Sequence, residues 1–312
     1  LRKVEGRLPR RVGTADHADA FPGDDSAHAY AVAGIIGAKA NNSLGIAGVD
    51  WNASLYSFFG GGAADNTTIN AIVNELIPDN CRVMNASWVL TQKDIGNPPR
   101  YNELMDLAFR DLYSSNIVAV CGAGNRGTGG ALDYPANFRK VITVGAIDSV
   151  NNHAYFSSTT AKMDLVAPGD HIASLGNGNS IKDDWYGTSF SAPFVTGAAS
   201  LLYARHRNLY ADDVAAVLRA TADPIGSDST MFGAGRLNIR RALRALETGR
   251  FFENNRIPVP YVDLTVMPDV YMGSRKFLGF DRFGLPDGSY QNVWCRELRY
   301  TIHYPDRGRV PI

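Results

Sequence analysis

The sequence predicts an α/β fold in which a mostly parallel sheet is covered by helices on both faces. Apolar, β-branched runs that are typical of buried strands alternate along the chain with amphipathic segments of helical period. This alternation is typical of a parallel sheet whose crossover helices lie on both sides of it. The strand candidates are Ser54–Phe59, Arg82–Val89, Asn116–Cys121 and Val141–Ile147.

The helix candidates follow from the spacing of apolar residues. Within the predicted helix Tyr101–Tyr113, apolar residues recur at helical spacing and are expected on one buried face; they are Leu104, Leu107, Ala108 and Leu112. A later helix has the same spacing at Val214, Val217 and Leu218. In such folds, functional sites gather at the carboxyl ends of the strands.

A serine lies at the expected start of an apolar helix in the segment GTSFSAPFVTGAASLL, Gly187–Leu202. Proline is favoured at the first helical position, so Pro193 is expected in the first turn, with Ser189 just before the helix. Free N–H groups and the positive end of the helix dipole favour an oxyanion there. A simple N-cap is the alternative interpretation of Gly-Thr-Ser at this position.

Two further polar residues stand at the ends of predicted elements. Asp24, Asp25 and Ser26 are start signals for a helix that carries His28 in its first turn. Asn125 follows the apolar run IVAVCGAG and is expected where that strand ends. A histidine, an asparagine and a serine, each at the end of its own element, together favour a catalytic site over isolated structural roles.

The chain resembles the subtilisin-like serine proteases, the subtilase family. The segments that carry this resemblance begin with His28-Ala29-Tyr30-Ala31-Val32-Ala33-Gly34 and end with Gly233–Leu243, and they include Gly187–Pro193, Asn41–Val49, Ala53–Tyr56, Val83–Trp88, Ala123–Asn125, Tyr134–Ser158 and Met163–Gly169. The resemblance implies a seven-stranded subtilisin-like sheet. It also implies a serine endopeptidase in which Ser189 is the nucleophile, His28 the general base and Asn125 an oxyanion donor beside the Ser189 backbone N–H.

The resemblance also implies a triad aspartate at the end of a first strand, and no such strand precedes His28. Asp16, Asp19, Asp24 and Asp25 lie in a polar stretch without an apolar run. We expect the acid upstream of Leu1, so that residues 1–247 form a peptidase domain that is incomplete at its N-terminus. A catalytically inactive subtilase relative that serves as a binding or inhibitory module is the alternative function.

Substrate contacts are implied only by the resemblance. Two segments are expected to pair with an extended peptide and to line the primary side-chain pocket: Ser87-Trp88-Val89 and Gly122-Ala123-Gly124. The alternative for Trp88 is that its side chain belongs to the core. The loop Asn41–Val49 matches a calcium-binding turn of some relatives, with Asn42 as a candidate ligand, but the sequence commits to no metal or other cofactor.

Composition limits the class of partners. The chain has 31 basic and 31 acidic residues among 312, and this balance predicts neither nucleic-acid nor anionic-membrane binding. Three scattered cysteines predict no disulfide framework, and Cys121 is expected to be a buried thiol. The expected partner is a polypeptide substrate, with an upstream segment or propeptide as a candidate. Only the resemblance favours a secreted or extracytoplasmic location.

The C-terminal part of the chain has a different pattern. After Glu247 the sequence is rich in proline and aromatic residues, and short segments alternate with period two. One such set is Trp294, Leu298, Tyr300, Ile302 and Tyr304, and another is Val262, Leu264 and Val266. Residues 248–312 are therefore predicted to form a small β-rich extension.

Overall fold

The computed structural model describes residues 12–13, 26–56, 69, 72–77, 81–88, 102–129, 133–176 and 180–247, and four short strands within 279–311. The strands, in chain order, are β1 (Val12–Gly13), β2 (Leu55–Tyr56), β3 (Val83–Ala86), β4 (Val118–Gly122), β5 (Val141–Ile147), β6 (Leu165–Pro168), β7 (Ile172–Leu175), β8 (Ile181–Trp185), β9 (Gly279–Gly284), β10 (Tyr290–Cys295), β11 (Thr301–Tyr304) and β12 (Gly308–Pro311). The helices are α1 (Ser26–Gly37), α2 (Glu103–Ser114), α3 (Thr188–Arg205), α4 (Ala211–Ala220), α5 (Ser229–Phe232) and α6 (Ile239–Glu247), and a short π-helix covers Ile72–Leu76.

A parallel sheet of four strands in the order β3-β4-β5-β6 forms the centre of the described fold. Every residue of β4 is buried, as expected for a strand that is covered on both faces. The α/β class with a mostly parallel sheet is confirmed, although the described sheet has four strands rather than the seven that the resemblance implies.

The predicted strand Ser54–Phe59 was expected in the parallel sheet, and its described part does not lie there. Its described part, β2, pairs antiparallel with β1 and lies outside the four-stranded sheet, while residues 57–59 fall outside the described chain. The alternation of apolar residues indicates a strand but does not encode which neighbour in space completes its hydrogen bonds.

Two apolar layers cover the sheet. On one face, α3, α4 and α6 pack on alternate residues of the sheet, including Val118, Val120 and Val144. On the other face, α2 and the π-helix pack on the strand residues whose side chains point away from α3, including Met84 and Ala119. Since successive side chains of a strand point to opposite faces, β3, β4 and β5 contribute to both layers, whereas Val166 of β6 belongs to a separate cluster with Ala123, Ile147 and Met163.

The buried face of α2 is not the one that apolar spacing predicts. Leu104 and Leu107 are 60% and 44% exposed, whereas Met105 and Phe109 are almost fully buried together with Ala108 and Leu112. The prediction is therefore confirmed for Ala108 and Leu112 and wrong for Leu104 and Leu107, because the buried face is rotated toward Met105 and Phe109. The apolar face of this helix is wide, since both Leu104 and Phe109 belong to it, and contact with the sheet decides which of its residues become buried. In α4, Val214, Val217 and Leu218 are all buried, as predicted.

Helix α3 begins earlier than predicted. Thr188 is its first residue and Ser189 its second, and Pro193 lies inside the helix rather than in its first turn. The expectation that Ser189 precedes the helix is therefore wrong. A hydrogen bond from the Thr188 backbone N–H to the side chain of Asn125 satisfies a free donor of the first turn and allows the helix to start there.

The described strands of the C-terminal part pair as two antiparallel hairpins, β9 with β10 and β11 with β12. This agrees with the predicted β-rich extension, while the domain boundary after residue 247 stays a prediction. The segment with Val262, Leu264 and Val266, and Leu298 and Tyr300 of the aromatic set, lie outside the described residues. In the described chain, we find no helix that combines the length and the apolar character needed to cross a membrane.

Candidate active site

The start of α3 provides the anion-favouring end that the sequence predicts. Gly187 precedes the helix with φ +135°, a conformation that L side chains rarely adopt. Ser189, as the second helical residue, carries one of the first backbone N–H groups, which have no acceptor within the helix. An oxyanion near the Ser189 side chain would meet this N–H and the positive end of the helix dipole.

Ser189 contacts the end of strand β3 through Ser87. The Ser189 Oγ donates a hydrogen bond of 3.3 Å to the Ser87 carbonyl, and the Ser87 Oγ donates one of 2.7 Å to the Ser189 carbonyl. The predicted nucleophile and one predicted substrate-binding residue therefore lie side by side. Ser87 is half-buried, and its bond to the carbonyl of Ser189 limits the freedom of that residue.

The orientation of the Asn125 amide follows from obligatory backbone donors. The Gly124 N–H donates to Thr188 Oγ1 at 3.1 Å, so the Thr188 hydroxyl proton is free to donate to Asn125 Oδ1, also at 3.1 Å. The Thr188 backbone N–H donates to the same oxygen at 2.9 Å. With Oδ1 occupied by two donors, Nδ2 is the donor that remains for an oxyanion. An added Cβ on Gly187 would lie 3.2 Å from this Nδ2, so glycine keeps that space open.

The loop that carries Asn125 is anchored on its far side by Asp133. Arg126 Nε lies 2.8 and 2.9 Å from the two carboxylate oxygens of Asp133, which is buried. Ser158 adds two bonds, because its Oγ accepts from the Arg126 N–H and its N–H donates to the Gly124 carbonyl. The side-chain hydrogen bond to Asp133 raises the pKa of Arg126, which therefore stays charged.

His28 is the third residue of α1, as the start signals predict, and it is half-buried. Its ring meets the ring of Phe190 edge-on, with centroids 5.3 Å apart and an interplanar angle of 63°. Phe190 is 3% exposed and packs with Ala31, Val32 and other residues of α1. Because Phe190 directly follows Ser189, this packing brings the imidazole next to the start of α3.

The predicted substrate-binding residues Gly122, Ala123 and Gly124 use their backbone groups and their small size inside the protein. The Ala123 side chain is fully buried in the core, and its N–H donates to the Val144 carbonyl. The Gly124 N–H and carbonyl also bond inside the protein. These groups are not available for strand pairing with a peptide, which favours a role as pocket wall. An added Cβ on Gly122 would lie 2.9 Å from the Thr188 carbonyl, so Gly122 permits close approach of α3.

Trp88 is half-buried and packs against the core beneath α2. This favours the alternative in which its side chain belongs to the core. Val89 lies outside the described residues. The acidic candidates upstream of His28, at positions 16, 19, 24 and 25, also lie outside them.

Metal-ligating groups do not converge in the described part of the chain, where no three His, Cys, Asp or Glu side chains lie together. Asn42 Oδ1 accepts a hydrogen bond of 3.0 Å from the Leu44 N–H.

The thiol of Cys121 is fully buried, as predicted, and burial raises its pKa well above the ordinary range. Such a thiol is inert as a nucleophile.

Sequence reasoning did not single out two residues that the structure places in the site. Thr188 orients Asn125, and Phe190 joins α1 to the start of α3. Both flank Ser189 in GTSF, so their position in the motif was the available signal. Their contacts, however, depend on residues more than 60 positions away, as the sequence separation of 63 between Thr188 and Asn125 shows.

Comparisons with known proteins identify the family of this chain. The subtilase family, peptidase S8, matches residues 10–235. Subtilisin DY of Bacillus licheniformis is 34% identical over 227 residues, which cover 72% of this chain and 80% of that protein. Subtilisin E of Bacillus subtilis is also 34% identical, over 70% of this chain and 56% of its own length.

Solved structures show the same fold. The crystal structure of MycP1 with its N-terminal propeptide removed has a TM-score of 0.62 and 23% identity, and the match covers 74% of this chain and 84% of that one. At this identity the likeness concerns the fold, while the family profile and the subtilisins carry the assignment. The chain therefore belongs to the subtilase family of subtilisin-like serine endopeptidases.

Proposed function

We propose that this chain hydrolyses internal peptide bonds of polypeptides through an acyl-enzyme on Ser189. In this mechanism the Ser189 hydroxyl attacks the peptide carbonyl, and His28 takes its proton and later gives it to the leaving amine. Asn125 Nδ2 and the Ser189 backbone N–H stabilise the oxyanion of the tetrahedral intermediate.

The observation that carries this proposal is the convergence of three sequence-distant elements at the start of α3. The loop after β4 supplies Asn125, which is oriented by two bonds from Thr188. Helix α1 supplies His28, which contacts the neighbour of Ser189. Each element is therefore held relative to the same helical turn, and such preorganised donors are what acyl transfer requires.

Substrate, partners and location complete the proposal. A backbone wall at Gly122–Gly124 and the end of β3 at Ser87 would border the bound peptide. A propeptide and an extracytoplasmic location are supported by the likeness to subtilisins and to MycP1. Fractionation of the source cells with an antibody against this chain tests the location.

Labelling with a fluorophosphonate probe tests the chemistry, because covalent capture needs an activated serine. Because no strand that could position a triad aspartate is predicted before His28, we expect the unaltered chain to be labelled and to cleave casein only slowly. Ser189→Ala should abolish both reactions with an almost unchanged Tm. Proteolysis retained by the Ser189→Ala variant would refute the nucleophile. A folded, unaltered chain that is neither labelled nor active would favour the inactive relative that binds or inhibits, and amide products formed with an added amine would indicate a ligase.

A further inference from the structure

Three polar side chains connect the middle of α3 to the carbonyl of the proposed nucleophile. Thr196 Oγ1 donates to Asn85 Oδ1 at 2.8 Å, Asn85 Nδ2 donates to Ser87 Oγ at 2.8 Å, and Ser87 Oγ donates to the Ser189 carbonyl at 2.7 Å. We call these three residues, Thr196, Asn85 and Ser87, the relay. It starts and ends on α3 and passes through the end of β3.

The direction of each bond in the relay is determined by its last acceptor. A carbonyl can only accept, so the single hydroxyl proton of Ser87 must point to Ser189. The Ser87 oxygen is then an acceptor for Asn85, whose amide nitrogen must face it. The amide oxygen consequently faces Thr196, whose hydroxyl proton lies between this oxygen at 2.8 Å and the Ala192 carbonyl at 3.1 Å, with the shorter distance to Asn85. A change at Thr196 therefore alters the orientation of Asn85 before it alters Ser87.

Pro193 explains why the Ser189 carbonyl needs a partner from outside the helix. In an α-helix this carbonyl would accept from the N–H four residues later, and that residue is Pro193, which has no N–H. Ser87 supplies the missing donor. The bond thus satisfies a main-chain acceptor of the proposed nucleophile itself.

The relay lies on the side of the sheet that α3 covers. Along β3, Met84 and Ala86 are buried beneath α2, so Asn85 points to the opposite face, where α3 packs. Thr196 is 5% exposed. Asn85 and Ser87 are half-buried, so the Thr196 end of the relay is the part most shielded from water, where hydrogen bonds are stronger.

We propose that Asn85 and Thr196 are positioning residues that act through Ser87 to hold Ser189 in its reactive geometry. This inference rests on the proposed function, since it concerns the rate of attack by Ser189. Neither residue touches the reacting atoms. Their loss is expected to lower kcat while substrate affinity is retained.

A set of threonine variants isolates the hydroxyl. Thr196→Val keeps the shape but removes the donor to Asn85, and we expect kcat on a peptide p-nitroanilide to fall about tenfold with KM within about twofold. Thr196→Ser keeps the hydroxyl and should retain kcat. The matched control is Thr221→Val, because Thr221 Oγ1 also bonds the carbonyl four residues earlier, as Thr196 does, but makes no bond to β3. It should leave kcat unchanged.

A double variant tests whether the two residues act in series. If Thr196 acts only through Asn85, Thr196→Val should reduce kcat in the unaltered chain but not further in an Asn85→Leu background. Equal kcat for Thr196→Val and the unaltered chain would overturn the inference. So would an equal loss in Thr196→Ser, which would assign the effect to packing of the methyl group.

Amide hydrogen exchange supplies a readout that needs no activity. Thr196→Val should speed exchange in the first turn of α3, residues 188–192, and Thr196→Ser should not. If that difference appears while the unaltered chain is not labelled by the fluorophosphonate, the proposed function fails and the role in catalysis fails with it, while the relay as a structural connection to the start of α3 stands. If the unaltered chain is labelled, but neither kcat nor exchange changes in Thr196→Val, the relay fails and the proposed function stands.

Discussion

Ser191 offers a quantitative test of packing inside α3. Its side chain is fully buried, and its Oγ makes no hydrogen bond to any described residue. A buried hydroxyl without a partner costs about 1–3 kcal/mol. Ser191→Ala removes that cost and adds roughly 0.5 kcal/mol of helix propensity. It forfeits the van der Waals contacts of one oxygen, each about 0.1–0.2 kcal/mol. We therefore expect Ser191→Ala to raise the free energy of unfolding by about 1–2 kcal/mol.

Gly169 provides a second, coupled perturbation at the same place. A Cβ added there would lie 2.1 Å from Ser191 Oγ and 2.7 Å from the Ala146 Cβ. Gly169→Ala is therefore strongly destabilising in the unaltered chain. In the Ser191→Ala background the shorter of the two overlaps is removed, so the same substitution should cost less. The difference is a coupling energy, which a double-mutant cycle measures directly.

Urea unfolding and thermal melting measure these effects, with Ser157→Ala as the matched control. Ser157 is equally buried, but its Oγ accepts a hydrogen bond of 3.0 Å from the Ala146 N–H. Its replacement should destabilise the protein, whereas Ser191→Ala should raise Tm by roughly 2–4 °C for each kcal/mol gained. A loss of stability in both variants would refute the reasoning and show that the Ser191 hydroxyl has a partner, such as a buried water.

Two further predictions concern the oxyanion donor and pH. Asn125→Leu removes one donor and should lower kcat by about 10²–10³, the loss known for the equivalent donor in subtilisin, with little change in KM; a change in KM alone would indicate ground-state binding. Burial raises the pKa of Asp213 from 3.8 to about 7, with Asp212 adding to the shift and the Tyr210 N–H opposing it. Because the folded state then binds a proton that the unfolded state releases, stability should fall as pH rises from about 4 to 7. Asp213→Asn should flatten this part of the profile in urea unfolding at pH 5 and 8, and an equal slope in both proteins would contradict the assignment.

Much of the fold could be predicted from local patterns. The predicted strand Val141–Ile147 has the observed bounds, and helix α1 begins at Ser26, as its start signals predict. Predictions from local sequence patterns were wrong where burial or strand pairing depended on a residue that is close in space but distant in the sequence. Leu104 is exposed because the sheet contacts Met105 and Phe109 instead, and β2 pairs with β1 rather than with the parallel sheet.

The candidate site shows the same division. Ser189, His28 and Asn125 could be identified from their motifs, because a helix start and a strand end are local features of the chain. The first residue of α3 could not be predicted, because Pro193 usually indicates the first turn of a helix. Here Pro193 lies inside the helix, where Ser87 donates the hydrogen bond to the Ser189 carbonyl that proline cannot donate. That hydrogen bond joins residues 102 positions apart in the sequence.

The sequence by itself therefore determined the fold class, the family and the identity of the residues proposed for catalysis. These properties follow from periodicity and short motifs, which neighbouring residues encode. The tertiary structure alone decided how those residues are oriented, through the contact of Thr188 with Asn125 and through the relay that ends on Ser189. The physical reason is that a hydrogen-bond direction depends on which donor and acceptor the packed sheet and helices bring together.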